Sequence, residues 1–234
     1  LVGNLDANYV GDENCLSSCH THDKYYADFK HSIHGDQISE DTGLPLVNCE
    51  SCHGPGSLAV ETAAEKKVCN FGSLLPIAEF PAQAQSMLCL KCHSAASTPN
   101  LSSWNASAHA LNDVSCFDCH QPHKGSQQKV SRHEQEELCT GCHTQVKVEF
   151  SQFSHHPVPE HKMACTDCHD LHTPVDPVSR LTEQSSVCFS CHKKQHADSL
   201  KPYAHPIRTG VMACTSCHNP HHSTADALLK KNTL

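Results

Sequence analysis

The stretch CTDCHDLH, residues 165–172, contains the pattern that organises the whole chain: CxxCH followed by another histidine three residues later. The CxxCH part occurs seven times in 234 residues. An eighth copy, Cys15/Cys19/His20, has one extra residue between its cysteines. The seven regular copies are Cys49/Cys52/His53, Cys89/Cys92/His93, Cys116/Cys119/His120, Cys139/Cys142/His143, Cys165/Cys168/His169, Cys188/Cys191/His192 and Cys214/Cys217/His218.

This spacing is the one by which haem c is attached to a polypeptide. Two thiols add across the two vinyl groups of one porphyrin, and the histidine that follows lies under the iron as its proximal ligand. A zinc ribbon needs paired CxxC units but no histidine directly after each one, and a redox CxxC motif occurs once per domain. We therefore interpret the chain as a c-type cytochrome with eight covalently attached haems and eight proximal iron ligands.

Composition agrees with this interpretation. The chain has 17 cysteines and 22 histidines but only 5% aromatic residues, too few to build an ordinary apolar core. With about 29 residues for each haem, we expect the haems to form the core and the apoprotein to be largely unfolded. The formal charge is −8 before cofactors. Haem propionates bring it to about −16 when oxidised and about −24 when reduced, which argues against nucleic acid as a partner.

Haem attachment also predicts the compartment, because cytochrome c maturation takes place outside the cytoplasm. No signal-peptide pattern precedes Leu1, so we expect the numbering to begin at or near the mature N-terminus. No apolar run approaches the roughly 20 residues that a transmembrane helix needs. Any association with a membrane is therefore expected to come through a partner.

The motifs form an internal repeat that holds two haems per unit. The repeats cover approximately residues 9–60, 81–125, 131–174 and 180–223. We expect one multihaem cytochrome domain over residues 1–234, elongated and mostly irregular with short α-helices and almost no strands. Ser131 and Glu134 form a capping-box pattern before Cys139, and Pro81 precedes a similar approach to Cys89, so a helix should lead into each of these motifs.

Further histidines recur at equivalent repeat positions and are the expected distal iron ligands. One follows each odd-numbered motif by 13 to 16 residues, and another follows three of the even-numbered motifs by three residues. The latter lie too close to their own haem to reach its opposite face, so they must ligate a neighbouring haem. In the first repeat Gly54-Pro55-Gly56 stands at that place, and His31 and His22 are the nearest replacements, with His31 preferred. The predicted distal ligands are His31, His34, His109, His123, His156, His172, His205 and His221.

The segment Tyr9-Val10-Gly11, the stretch CESCHGPGS at residues 49–57 and the recurring CxxCHxPH together resemble the MtrA/DmsE-type periplasmic multihaem cytochromes. Members of that family thread a row of bis-histidine haems through an outer-membrane β-barrel porin and pass electrons to a cell-surface cytochrome. The resemblance implies extracellular electron transfer, a periplasmic location associated with the outer membrane, and a porin and other multihaem cytochromes as partners.

Two other classes of function are kept open. An octahaem reductase needs one iron with an open or lysine-ligated position, and no CxxCK motif occurs. A subunit of an extracellular cytochrome filament would donate a histidine to the haem of its neighbour, and the missing ligand of the first repeat permits this. The sequence alone favours an electron carrier but does not separate a conduit in a porin from a filament.

Overall fold

The computed structural model describes residues 3–19, 24–68, 70–94, 96–124 and 130–231. Within these ranges all regular structure is helical, and β interactions are limited to isolated bridges. The α-helices are α1 Asp12–Ser18, α2 Tyr25–Lys30, α3 Cys49–His53, α4 Ser57–Lys66, α5 Ala82–Leu90, α6 Ala108–Leu111, α7 Arg132–Cys142, α8 Thr144–Glu149, α9 Leu181–Phe189 and α10 Lys193–Ser199. Short 3-10 helices span Phe71–Ser73, Ile77–Glu79, Pro99–Leu101, Trp104–Ala106, Cys116–Asp118, Cys165–Asp167, Pro177–Ser179, Cys214–Ser216 and Asp226–Leu228. The predicted fold class, short helices in a mostly irregular chain, is confirmed.

Helix α7 begins where the sequence predicts. The Ser131 hydroxyl accepts a hydrogen bond from the Glu134 backbone N–H at 3.3 Å, and the Glu134 carboxylate accepts one from the Ser131 N–H at 3.1 Å. This reciprocal capping satisfies two backbone donors that the first helical turn leaves unpaired. Helix α5 likewise starts directly after Pro81. Both helices carry the chain into the first cysteine of an odd-numbered motif.

Odd-numbered and even-numbered motifs occupy different places in the local structure. In the last three repeats the odd-numbered motif begins inside an α-helix, and the even-numbered motif begins a 3-10 helix at its first cysteine. The second residue between the cysteines caps the N-terminus of these short helices. The Asp118 carboxylate accepts a hydrogen bond from the Ser115 N–H at 2.7 Å, and the Asp167 carboxylate accepts one from the Ala164 N–H at 2.9 Å. Residue choice inside CxxCH therefore sets the local backbone.

The chain forms two compact units. The first comprises Leu1–Ser102 with His109–Val130, and the second Ser103–Ala108 with Ser131–Leu234. In the first unit the buried Glu50 carboxylate accepts backbone hydrogen bonds from Val10 at 3.0 Å, Gly11 at 2.8 Å and Gly56 at 2.8 Å. This network fixes the N-terminal segment against the second motif.

In the second unit the last two repeats are joined by an antiparallel bridge between Ser154 and Ser223. The Ser154 N–H donates to the Ser223 carbonyl at 2.9 Å, and the Ser223 N–H donates to the Ser154 carbonyl at 2.7 Å. The Ser154 hydroxyl also accepts from the Leu228 N–H at 3.1 Å. The bridge holds the segment before His156 beside the segment after His221.

Few apolar side chains are buried in the described part of the chain. Nine hydrophobic residues are buried there, and five of them are alanines. The larger ones are Leu88, Trp104, Phe150 and Val158. Side chains alone thus supply little of the apolar area that folding of a chain this long requires. No helix among the described residues is both long and apolar enough to cross a membrane.

Candidate haem-binding sites

Six motifs share one backbone geometry. The N–H of the motif histidine donates to the carbonyl of the first cysteine, four residues earlier, at 2.8 to 3.0 Å. The histidines concerned are His93, His120, His143, His169, His192 and His218. One helical turn between cysteine and histidine brings both sulfurs and the imidazole to the same side of the backbone. The motif can therefore grip one porphyrin edge and present an imidazole to its iron.

The first motif differs because of its extra residue. The N–H that donates to the Cys15 carbonyl, at 3.0 Å, belongs to Cys19 and not to the histidine. His20 and His22 lie outside the described residues, and so does Cys69, the one cysteine that belongs to no motif. Cys19 is disulfide-bonded in this structure, and a thioether at the same sulfur requires that this bond be absent. Attachment of a haem at Cys15 and Cys19 stays a prediction.

Within a repeat, the first cysteines of the two motifs meet. The Cys116 sulfur accepts a hydrogen bond from Cys89, which lowers the pKa of Cys116 to about 6 and raises that of Cys89. A hydrogen bond from Cys139 likewise lowers the pKa of Cys165 to about 7. Burial, with a smaller contribution from Cys214, raises the pKa of Cys188 to about 12. The neighbouring sulfur contributes to each of these shifts, so the paired first cysteines lie close together.

Between successive repeats, the second cysteines lie near each other. Burial raises the pKa of Cys52, and the neighbouring Cys92 adds to this rise. Burial also raises the pKa of Cys168, with contributions from Asp167 and then from Cys191. The second motif is thus near the third at these sulfurs, and the sixth is near the seventh.

The second cysteines are also the more exposed members of the motifs. In the seven regular motifs every first cysteine is half-buried, whereas five second cysteines are exposed: Cys92, Cys119, Cys142, Cys191 and Cys217. The predicted thioether positions therefore do not all lie beneath protein side chains, because the chain has few large apolar residues to cover them.

Backbone hydrogen bonds hold the exposed cysteine of the eighth motif in place. The Cys217 N–H donates to the Cys214 carbonyl at 3.2 Å, and the Cys217 carbonyl accepts from the Lys230 N–H at 2.8 Å. The C-terminal segment is thus tied to the motif itself. A haem core, as the sequence predicts, would have to shield the Cys217 sulfur with the porphyrin. Thioether attachment at Cys217, as at the other exposed cysteines, stays a prediction.

Four pairs of imidazoles oppose each other at a separation that fits an iron between them. The ring centroids are 6.0 Å apart for His34 and His93, 6.0 Å for His53 and His123, 6.1 Å for His156 and His192, and 6.0 Å for His169 and His221. Metal–imidazole bonds of about 2 Å, with the radius of a ring on each side, give roughly 6 Å. Each pair joins one motif histidine to one predicted distal ligand, so the residues present fit a bis-histidine haem.

The pairing runs between repeats and in both directions. His34 of the first repeat faces the third motif, while His123 of the second repeat faces the second motif. Opposite His53 the structure therefore has His123, and His31 does not take that place. The Nδ1 of His31 contacts the Ala27 carbonyl at 2.6 Å, and no motif imidazole of the described residues opposes His31. A role for His31 at the first haem stays a prediction.

Hydrogen bonds at Nδ1 orient several of these imidazoles. The Nδ1 atoms of His93, His218 and His156 contact the Thr98 hydroxyl at 3.2 Å, the Ala227 carbonyl at 2.8 Å and the Pro220 carbonyl at 2.7 Å. A histidine that donates from Nδ1 keeps the lone pair of Nε2 for a metal. A carbonyl oxygen only accepts, so His156 and His218 must donate from Nδ1, and their Nε2 atoms have the lone pair that haem ligation needs.

Comparison with known proteins agrees with this geometry. The sequence profile of the family described as cytochrome c-type protein NrfB-like matches residues 49–133 and 124–186, more than half of the chain. The chain belongs to this family. Residues 205–234 of this NrfB-like cytochrome also match the profile of the doubled CXXCH motif. The protein is thus a multihaem c-type cytochrome with covalent haem, as the CxxCH motifs predicted, and the count of eight haems stays a prediction.

The NrfB-like cytochrome is also similar to a curated protein named multiheme cytochrome MtrA, from Shewanella baltica strain OS185. The two are 32% identical over 148 residues, which are 63% of this chain and 42% of the relative. The resemblance to MtrA-like cytochromes is confirmed. The chain spans less than half of the length of that relative.

Two glutamines of the NrfB-like cytochrome position even-numbered motifs and were not predicted. The Gln184 Oε1 accepts from the N–H and hydroxyl of Thr215, at 3.1 and 2.9 Å, and its Nε2 donates to the Val178 carbonyl at 2.8 Å. Gln135 Oε1 binds Thr166 in the same way at 3.3 and 3.0 Å. A glutamine four residues before the first cysteine of the odd-numbered motif, repeated at Gln85, is the sequence signal that identifies them.

Not every histidine of the cytochrome is disposed to bind iron. His155 Nδ1 contacts the Gln152 carbonyl at 2.7 Å and its Nε2 contacts the Glu160 carboxylate at 3.1 Å, so both ring nitrogens are engaged. These contacts raise the pKa of His155. His196 stacks on Phe189 with ring centroids 4.7 Å apart.

Proposed function

We propose that this chain is an octahaem electron conduit, with one haem c attached at each of the eight motifs. Haem iron alternates between the ferric and ferrous states and so carries one electron at a time. The observation that carries the proposal is the close approach of motif sulfurs together with the paired imidazoles. Within each of the two compact units, they bring the haems of successive motifs close together.

The order of the haems follows the order of the motifs. Burial, with smaller contributions from Asp12 and Cys15, raises the pKa of Cys49 to about 12, which indicates that the first and second motifs approach each other. The close sulfur pairs described above extend this order through the second, third and fourth motifs, and again through the fifth to the eighth. Because each sulfur is bonded to a porphyrin edge, motifs that touch through sulfur bring their porphyrin edges together.

Ligand exchange strengthens the same arrangement. Two repeats that supply imidazoles to each other's haems cannot separate without breaking an iron–nitrogen bond. His34 supports it further, because burial and the neighbouring His93 lower the pKa of His34, as expected for two imidazoles held close together.

The proposed partners follow from the resemblance to MtrA-like cytochromes and from the charge. A β-barrel porin would insulate the haem row across the outer membrane, a low-potential periplasmic cytochrome would donate electrons, and a cell-surface cytochrome would accept them. A net charge of −8 before haem propionates are counted favours partners with basic docking surfaces. The proposed location is the periplasm, in association with the outer membrane.

A filament subunit is the second candidate, and one observation favours it. His205 is exposed, whereas the equivalent His34 and His156 are half-buried and each opposes a motif histidine. No motif imidazole opposes His205 within the described residues. An exposed imidazole at this repeat position can ligate the haem of a second copy of the chain, which would then be an extracellular filament. Electron microscopy of the purified protein distinguishes a polymer from separate particles.

Reconstitution tests the conduit directly. Liposomes that contain the cytochrome seated in its barrel and a reduced dye inside should lose electrons to a soluble oxidant outside. Liposomes that contain the barrel alone are the control and should keep the dye reduced. If the complete complex also keeps the dye reduced, the conduit is wrong. Rapid turnover of nitrite or hydroxylamine by the isolated protein would show that it is a reductase and not a conduit.

A further inference from the structure

The pair His169 and His221 has a carboxylate hydrogen-bonded to each of its two imidazoles. The Nδ1 of His169 contacts the Asp176 carboxylate, and the Nδ1 of His221 contacts Glu149 Oε2 at 3.2 Å. The two rings face each other at 6.0 Å. We call these four residues the His169 site, and its haem is the one attached at Cys165 and Cys168.

Asp176 is held in place by the backbone. Its second carboxylate oxygen accepts from the Val178 N–H at 3.2 Å and so caps the 3-10 helix Pro177–Ser179. The Asp176 side chain is 29% exposed, and its imidazole partner 34%. A capped carboxylate keeps its position. Because it is partly shielded from solvent, water competes less with it for the imidazole N–H.

Glu149 is held from the other side of the site. It is the last residue of α8, and the next residue, Phe150, is buried with its ring 5.4 Å from the His221 ring. The Glu149 side chain is 22% exposed. Its other oxygen lies 3.9 Å from His222 Nε2. The carboxylate is thus fixed between two histidines, and the nearer one is the proposed iron ligand.

Other described sites use weaker acceptors at the same place. At the third haem, His93 contacts the neutral hydroxyl of Thr98, and at the seventh, His156 contacts the neutral carbonyl of Pro220. A carboxylate draws the Nδ1 proton more strongly than a neutral acceptor does, and this gives the imidazole more negative charge to donate to iron. Ferric iron carries one more positive charge than ferrous iron, so it gains more from such a ligand.

We propose that Asp176 and Glu149 are positioning residues that lower the reduction potential of the haem at Cys165 and Cys168 below those of the haems of His93 and His192. The inference rests on the proposed function, because it requires an iron between His169 and His221. The haem of the His169 site is then the last of these three to be reduced. Transfer of an electron from this haem to the neighbouring haem of His192 is then favourable, and the reverse transfer is uphill.

The expected effect can be stated for each carboxylate. Loss of a residue that hydrogen-bonds to a metal ligand typically changes the metal affinity or activity of a site by about tenfold or more. We expect each carboxylate to shift the ferric-to-ferrous ratio of this haem about tenfold, which for one electron corresponds to about 59 mV. Removal of both carboxylates should change the ferric-to-ferrous ratio of this haem about a hundredfold.

The test uses the haem-loaded protein with Asp176→Asn, with Glu149→Gln, and with both changes. Potentiometric titration followed by optical and electron paramagnetic resonance spectra should find one haem whose potential rises by the expected factor, and one low-spin signal that moves. Glu160→Gln is the matched control, because Glu160 also hydrogen-bonds to a histidine, His155, whose two ring nitrogens are both engaged. It should leave every potential unchanged.

The outcomes separate the inference from the proposed function. If all potentials and low-spin signals stay unchanged in both single variants while eight low-spin haems remain, the inference is overturned and the conduit stands. A high-spin iron in the unmodified protein that disappears when Cys165 and Cys168 are replaced by serine would overturn the ligand pair itself. Asp176→Glu keeps a carboxylate and should restore most of the shift, which loss of packing alone would not do.

Discussion

Replacing His123 by alanine should remove the distal ligand of the haem at Cys49 and Cys52. The haem at Cys116 and Cys119 should keep both of its ligands, although His123 lies only three residues after His120. The reason is the geometry of the rings: His123 is parallel to His53 within 8°, with the centroids 6.0 Å apart. A residue so close in sequence to one haem is thus expected to serve another.

The size of the effect follows from the haem count. Loss of one axial imidazole leaves one iron of eight with a single histidine, so high-spin iron should rise to about one eighth of the ferric total. The ring orientation adds a second signature. Parallel imidazole planes separate the iron dπ orbitals in energy, which gives a rhombic low-spin signal, so a rhombic signal should be the one that disappears.

Electron paramagnetic resonance and optical spectra of the exported, haem-loaded protein measure both effects. A background with Cys49→Ser and Cys52→Ser lacks covalent attachment of the second haem. In that background His123→Ala should add no high-spin iron. His196→Ala is the control, because the His196 ring stacks on Phe189 and is not expected to bind iron.

One result refutes the reasoning directly. If His123→Ala still produces high-spin iron in the background without the second haem, then His123 ligates a different iron. Exchange of this ligand between the first two repeats would then be wrong. Absence of any spectral change would show that His123 is not a ligand.

Three further outcomes are expected. The intact mass should exceed the 25.6 kDa polypeptide by eight haems, whereas a mass with seven haems would show that the irregular motif at Cys15 is unused. In denaturant titrations Glu50→Ala should lower the stability of the haem-loaded protein by about 3 kcal/mol, because it leaves buried backbone donors without an acceptor; Glu50→Gln should lose less, and equal losses would contradict this. Gln184→Ala should cost about 2 kcal/mol, because the buried Gln184 side chain is hydrogen-bonded to Thr215 and to the Val178 carbonyl; an unchanged stability would contradict the assigned role.

The sequence predicts local structure well wherever the chemistry is local. Thioether attachment fixes the spacing of CxxCH, and the capping pattern of Ser131 and Glu134 fixes the start of α7. The absence of strands from the described residues also agrees, since two-residue alternation of apolar side chains is rare in this chain.

Ligand assignment between repeats depends on distances that the sequence does not contain. The spacing of three residues excludes the haem of the same motif for His123, but it does not distinguish the previous repeat from the next. For this reason the first repeat looks deficient in the sequence, while in the structure His53 faces a histidine of the second repeat. The role of Glu149 could not be recognised either, because Glu149 lies 72 residues from the imidazole that it contacts.

Coordination in this chain serves stability and electron transfer at once. Since most of the apolar residues buried in the described part of the chain are alanines, the proposed bonds from iron to imidazole would supply much of the cohesion between repeats. A ligand that favours ferric iron lowers the reduction potential, and by thermodynamic linkage the folded state then gains more from ferric than from ferrous iron. Oxidised protein should therefore be harder to unfold than reduced protein. The two carboxylates beside His169 and His221 make that site a strong contributor to the difference, so a change there must alter stability and potential together.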